Sequence, residues 1–129
     1  YQPVYVPWGM VAGKWMIGGV AFGETLALAL GVPHVVGIGE TLTRARYYPE
    51  EKTLRVKVLA DPDTQTLIGA QMVGGEGIKE RADFLAMAVK IGATLTDVAN
   101  GENVYAPSIG AVAEPITLAA QDALANLKK

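Results

Sequence analysis

Residues 53–60, TLRVKVLA, alternate apolar and polar side chains with a period of two. Leu54, Val56 and Val58 share one side of an extended chain. Arg55 and Lys57 share the other. A helix would scatter these residues around its circumference, so the pattern predicts a β-strand with one buried face. This strand is the strongest constraint on the fold.

The neighbouring segments predict that this strand belongs to an antiparallel meander. Residues 61–65, DPDTQ, form a turn in which Pro62 fixes the first bend, and 66–75, TLIGAQMVGG, return as a strand. Upstream, 34–48, HVVGIGETLTRARYY, predict one further strand with room for a glycine bulge. Three or more strands therefore pair antiparallel, and a sheet covered on one face leaves its other face needing a partner.

Helical patterns follow the strands. Residues 76–91 repeat apolar side chains at helical spacing, with Phe84 and Ile91 widening the stripe, and Gly92 suits the cap. Residues 94–97, TLTD, have the form of a capping box, and Glu114-Pro115 open a last helix with an apolar face over 116–127. Strands followed by helices predict an α+β fold, an antiparallel sheet of three to four strands packed with helices.

The N-terminal segment differs in texture. Between Trp8 and Val32 only Lys14 and Glu24 are charged. These charges divide the apolar run into pieces shorter than the ~20 residues that a membrane-spanning helix needs. We therefore predict N-terminal helices and no membrane partner, with one helix from Pro7 to the glycines at 18 and 19 and a second over Phe22–Leu30.

Composition excludes several function classes. The chain has 129 residues, which suits one domain, and a net charge of -2 with scattered lysines and arginines, so nucleic acid is not an expected partner. It has no cysteine and one histidine, His34. No thiolate or multi-histidine metal site, and no catalytic Ser-His-Asp arrangement, is therefore expected.

Three motifs are candidates for function. Residues 73–77, VGGEG, could dock an anion at a helix start, although Glu76 opposes this and favours a tight turn. Residues 43–52, TRARYYPEEK, are either an anion or interface patch or a strand end with solvated charges. Tyr105 in VYAPS is either a core tyrosine with a satisfied hydroxyl or a phenol, of pKa about 10, that acts as an acid or electrostatic donor.

Four features in combination resemble one protein family: RYYP, LIGAQMVGGEG, the capping box and VYAPS. Together they are similar to the C-terminal dimerisation domain of FAD-dependent pyridine nucleotide-disulfide oxidoreductases, in the branch of coenzyme A-disulfide reductases and NADH oxidases. The resemblance implies a dimerisation domain over 32–129. Residues 1–31, which include YVPWGMVAGKWMIGG, would be a remnant of the flavin domain and its connecting helix. YAPS departs from the commoner YAPP.

The resemblance also implies site residues. Tyr105 and Tyr47, the first tyrosine of YYP, match two tyrosines that point at the partner subunit's redox site. The backbone around Met10, Val11 and Ala12 matches a helix start whose amides face the flavin, where they would stabilise negative charge on reduced FAD.

The expected function is accordingly a dimerisation module of a cytoplasmic flavin-dependent NAD(P)H disulfide reductase or NADH oxidase. Its partners would be a second copy, met through the open sheet face and the apolar face of 116–127, and the rest of the parent flavoprotein. FAD and NAD(P)H would act in the parent enzyme without being held firmly by this chain. Because this chain has no cysteine and no nucleotide-binding glycine fingerprint, it would not be catalytic alone. The alternative is a free-standing small-ligand or regulatory binding module.

Overall fold

The alternating residues 53–60 form an interior strand of a five-stranded antiparallel sheet. The computed structural model describes residues 2–129, and its strands are β1 (Trp8–Ala12), β2 (Trp15–Ala21), β3 (Val35–Leu42), β4 (Thr53–Ala60) and β5 (Leu67–Gly74). Its helices are α1 (Glu24–Ala29), α2 (Ile78–Lys90), α3 (Leu95–Ala99) and α4 (Pro115–Asn126). The strand order is β1-β2-β5-β4-β3. The predicted α+β class is confirmed, with one strand more than expected.

The predicted hairpin is formed by β4 and β5. Val56 lies opposite Met72 and Val58 opposite Ala70, and all four side chains are buried beneath the helices. Asp61 closes the turn, because its Oδ1 accepts hydrogen bonds from two backbone amides, each at 2.8 Å. These bonds lower the pKa of Asp61.

Helix α4 lies directly on β3, and two glycines make this approach possible. A Cβ at Gly37 would overlap the backbone of Ala119, and one at Gly39 would overlap the backbone of Pro115. β3 pairs with β4 without a register shift from end to end. The glycines therefore serve close helix packing, and the glycine bulge that the sequence allowed is not formed.

The free edge of β3 is covered by side chains of α4. The amide of Ile38 donates to Asp122 Oδ2 at 2.9 Å, and Asn126 Nδ2 donates to the carbonyl oxygen of Val36, also at 2.9 Å. These bonds satisfy backbone groups that an edge strand would otherwise offer to another chain.

The apolar face of α4 belongs to the core of its own chain. Ile116, Ala119, Ala120 and Ala123 are buried in the same cluster as the β4 side chains. The prediction that this face of 116–127 mates with a second copy is therefore wrong. Its alanines are small because they pack on the glycines of β3.

The predicted first helix is instead a β-hairpin, formed by β1 and β2, that adds two strands to the sheet. Gly13, with φ +61°, makes the turn. Gly18 and Gly19 lie within β2, where a Cβ would come 2.6 Å from Ile78 Cγ2 and 2.9 Å from the Trp8 ring, respectively. The segment forms strands because β2 pairs with β5, which is distant in the sequence. Of the two predicted N-terminal helices, only the second is formed, as α1. Among residues 2–129 no helix is both long and apolar enough to cross a bilayer.

The face of the sheet away from α2 and α4 is partly open, as predicted. Helix α1 is tied to one end of it by an ion pair between Glu24 and Lys57 at 2.6 Å. This pair lowers the pKa of Glu24. Elsewhere on this face, Arg55 pairs with Glu40 at 2.6 Å, and large apolar side chains are partly exposed: Trp8, Met10, Trp15, Ile38 and Val73.

Candidate functional site

Two loops meet at one end of the domain. The first, 43–52, joins β3 to β4, and the second, 101–114, leads into α4. The amide of Ala45 donates to the carbonyl oxygen of Pro107 at 2.8 Å, which ties the loops together. A turn closed on the carbonyl of Ala106 folds the second loop at this point. The loops therefore form one surface although the sequence separates them widely.

Tyr47 and Tyr105 both lie on this surface. The neighbouring Tyr105 phenol is the main cause that raises the pKa of Tyr47 above 10.0. The rings of Tyr47 and Tyr48 form a tilted contact, and their centroids lie 5.3 Å apart. Tyr47 is 75% exposed and Tyr105 is 55% exposed. Neither is a core tyrosine, so the structure brings together the two tyrosines that the resemblance singled out.

The TRARYYPEEK and VGGEG motifs are parts of one structure. Arg44, largely buried, forms an ion pair with Glu76 and donates to the carbonyl oxygen of Pro49 at 3.5 Å. Gly77 takes the left-handed conformation before α2, with φ +86°. An anion at this helix start would have to compete with the Glu76 carboxylate. The geometry therefore favours the tight-turn interpretation of VGGEG.

A second ion pair joins α2 to the end of the second loop, 101–114, which carries Tyr105 and is called the tyrosine loop below. Arg81 Nε and Nη2 donate to the two carboxylate oxygens of Glu114 at 2.7 and 2.8 Å. Each side chain is only 18% exposed. The sequence pattern identified Glu114 only as a helix start, and this pair was missed. The two residues are far apart in the chain, and no local pattern around either one indicates that they form a contact.

The outer side of α2 carries an exposed apolar row, the α2 stripe, made of Phe84, Met87 and Ile91, which are 53%, 57% and 70% exposed. The sequence pattern assigned Phe84 and Ile91 to the buried face. Phe84 also lines a groove of 530 Å³ together with Val104 and Ile109 of the second loop. Phe84 of the α2 stripe therefore lies beside the second loop, which also carries Tyr105.

Met10, Val11 and Ala12 lie on β1, whose backbone pairs with β2, and not at the start of a helix. The helix start that the resemblance implied at these residues is therefore wrong, and no positive helix end is formed there to stabilise reduced FAD. Contact of this segment with FAD stays a prediction.

Fold and site together define a class of protein: a small antiparallel α+β domain that presents paired phenols and an apolar helix row on one connected surface. The family model for the dimerisation domain of pyridine nucleotide-disulphide oxidoreductases matches residues 9–115. The chain belongs to this family, which confirms the resemblance. The match begins at residue 9 and so includes the β1–β2 hairpin.

Relatives carry names from the predicted branch. The NADH oxidase of Methanocaldococcus jannaschii is 39% identical over 115 residues, which are 89% of this chain and 25% of that protein. The CoA-dependent NAD(P)H sulfur oxidoreductase of Pyrococcus abyssi is 32% identical over 81% of this chain and 23% of that protein. A coenzyme A disulfide reductase of Staphylococcus epidermidis is 40% identical over 49% of this chain and 14% of that protein. The chain thus spans a quarter or less of these relatives.

Solved structures share the whole fold. A NAD-dependent persulfide reductase from A. fulgidus aligns with a TM-score of 0.84 and 26% identity, covering 94% of this chain and 23% of that one. The Bacillus anthracis CoADR-RHD aligns with a TM-score of 0.86 and 23% identity, covering 95% of this chain and 22% of that one. The second supports the fold alone.

Proposed function

We propose that this domain pairs with a second copy of itself in a flavin-dependent NAD(P)H disulfide reductase or NADH oxidase. We further propose that Tyr47 and Tyr105 are lent to the partner subunit's redox site. The observation that carries this proposal is that Tyr47 and Tyr105 are exposed on two joined loops, one of which adjoins Phe84 of the α2 stripe. A cytoplasmic location stays a prediction.

The α2 stripe has the geometry of a helix–helix contact. Its residues recur at i, i+3 and i+7, so they line one side of the helix. A two-fold contact uses the same patch on both copies, and two α2 helices crossing antiparallel meet this condition. Glu80 lies in the first turn and Lys90 in the last turn of α2. Antiparallel crossing therefore brings Glu80 of one copy near Lys90 of the other.

This choice of surface replaces the one expected from the sequence. The apolar face of α4 is core and is not available to a partner. The open sheet face is interrupted by the Arg55–Glu40 and Lys57–Glu24 ion pairs and does not carry the phenols. The α2 stripe is apolar and adjoins the tyrosine loop.

The phenols suit the role of hydrogen-bond donors. A phenol has an ordinary pKa of about 10, so it keeps its proton at physiological pH and can donate a hydrogen bond to negative charge on sulfur or oxygen. In the parent enzyme, NAD(P)H and FAD would supply the electrons. The part proposed for this chain is to orient two donors at the edge of the partner's site.

We also propose that residues 9–129 act as one domain, in place of a boundary at residue 31. Six of the seven residues of β2 pair with β5, and Ile78 of α2 packs against Gly18. Cutting the chain near residue 31 would leave this edge of β5 without its partner strand.

Sedimentation equilibrium tests the pairing. The wild-type chain should be a dimer, and Phe84→Glu should weaken self-association by at least about tenfold, because it places a charge in an apolar contact. Leu28→Glu is the matched control, since Leu28 is an apolar residue on α1 that is at least as exposed as Phe84. Circular dichroism should be unchanged in both variants. A monomeric wild type, or equal weakening by both substitutions, would contradict the assignment.

A further inference from the structure

We infer that Arg81 is a positioning residue that couples the paired α2 helices to the tyrosine loop. The inference rests on the proposed function of the α2 stripe and of Tyr105. It concerns how the phenols are held in place.

Arg81 lies one turn before Phe84 on α2 and reaches into the fold. Its two hydrogen bonds to Glu114 are parallel and short, which is the bidentate arrangement that fixes both distance and orientation. Glu114 is the last residue of the second loop and the N-cap of α4, where its side chain accepts from the amide of Ile116 at 3.5 Å. One guanidinium thus connects α2 to the point where the tyrosine loop ends.

The surroundings of the guanidinium are shaped to hold it. Arg81 Nη1 donates to the carbonyl oxygen of Gly77 at 3.1 Å. A Cβ at Gly77 would overlap Arg81 Nη1, and the left-handed backbone there also favours glycine. The start of α2 therefore leaves space that the Arg81 side chain fills.

The other ties of the loop run elsewhere. The amide of Ala45 holds Pro107, and Asn103 Nδ2 donates to Thr117 Oγ1 at 3.1 Å. The Ala45 bond connects the tyrosine loop to the loop 43–52, and the Asn103 bond connects it to α4. The Arg81–Glu114 pair is the tie to the helix that carries the α2 stripe, so a shift of α2 on pairing reaches the loop through it.

Stability alone does not account for this pair. Two charges that are four-fifths buried lose much of their hydration, and such pairs often contribute little more than apolar side chains of the same size. In several proteins, buried ion pairs of this kind instead specify one arrangement of the elements that they join. Lysine cannot replace the arginine fork in that role.

Titration of Tyr47 by NMR, with ¹³C-labelled tyrosine, tests the role of Arg81 in the chain itself. The variants are Arg81→Lys, and Arg81→Met combined with Glu114→Gln, which leaves no buried charge unpaired. Lys79→Met is the control, because the Lys79–Asp83 pair is exposed on the same helix. Tyr105→Phe sets the scale, since it removes the partner phenol.

Each Arg81 variant should move the Tyr47 midpoint by at least about half of the Tyr105→Phe shift, while the melting curve still shows a cooperative fold. The control should not move it. A folded double variant with an unchanged Tyr47 midpoint would overturn the inference. Sedimentation of the wild type, run in parallel, separates the two proposals: a monomer with shifted variants would contradict pairing through α2 and leave the positioning of the loop by Arg81 standing.

Discussion

Tyr47 and Tyr105, from loops on opposite sides of the β4–β5 hairpin in the chain, lie close enough at the protein surface for Tyr105 to raise the pKa of Tyr47. The Ala45–Pro107 backbone hydrogen bond brings the two loops into contact. Two exposed phenols held together by backbone structure are poorly explained by core packing. They are well placed to contact a neighbouring subunit.

Tyr105→Phe should lower the pKa of Tyr47 toward its ordinary value of 10.0, because the neighbouring phenol that favours the neutral form of Tyr47 is lost. In the wild type the raised pKa means that the contribution of this contact to stability is full below about pH 10 and is lost as pH rises through the folded-state pKa. Tyrosine ¹³Cζ shifts against pH measure the effect, and Tyr5→Phe serves as control. An unmoved Tyr47 midpoint in Tyr105→Phe would show that the two phenols do not interact.

Gly37→Ala should destabilise the domain by about 1–3 kcal/mol or more, because the added methyl group forces α4 away from β3. The free energy of unfolding in urea measures this. Gly9→Ala is the control, since a Cβ there would lie 3.7 Å from its nearest neighbour, the carbonyl oxygen of Ile17, which is an ordinary van der Waals distance. Equal stability of Gly37→Ala and the wild type would contradict the account of α4 packing.

Thr94→Ala should cost about 1 kcal/mol, because Thr94 accepts from the amide of Asp97 at the start of α3. Thr94→Ser keeps this bond and is the control. The bonds from Thr94 lower the pKa of Asp97 below 3.8, so their contribution is present above that pH and is lost as pH falls through the lowered value. Urea unfolding of the variant and wild type at neutral and acidic pH should therefore show a difference that shrinks in acid. A difference independent of pH would contradict the reciprocal capping box.

Much of the fold could be predicted because its signals are local. Alternation at 53–60, the capping box at 94–97 and the proline at the start of α4 each depend on neighbours within one turn or strand. The β1–β2 hairpin could not be found this way, since its glycines carry no periodicity and its partner β5 lies far along the chain. Propensity there is overridden by tertiary pairing.

The candidate site also has parts that the sequence indicated and parts that only the structure revealed. Resemblance singled out Tyr47 and Tyr105 separately, but no pattern indicated that they meet. The apolar face of α4 looks like an interface in sequence, and only the glycines of β3, which admit the helix backbone, identify it as core. The Arg81–Glu114 pair spans two helices and leaves no mark in either segment.

The central claim is that the phenols act across a subunit boundary, and mixed dimers of the proposed parent flavoprotein test it most directly. One subunit would lack its redox cysteine, and the other would carry Tyr47→Phe and Tyr105→Phe. If the phenols act on the partner's site, the mixed dimer has one intact site and should retain about half of wild-type turnover, since two equivalent sites are expected in a two-fold dimer. If each phenol serves its own subunit, no site is intact and turnover should equal that of the tyrosine variant or less, which would contradict the account.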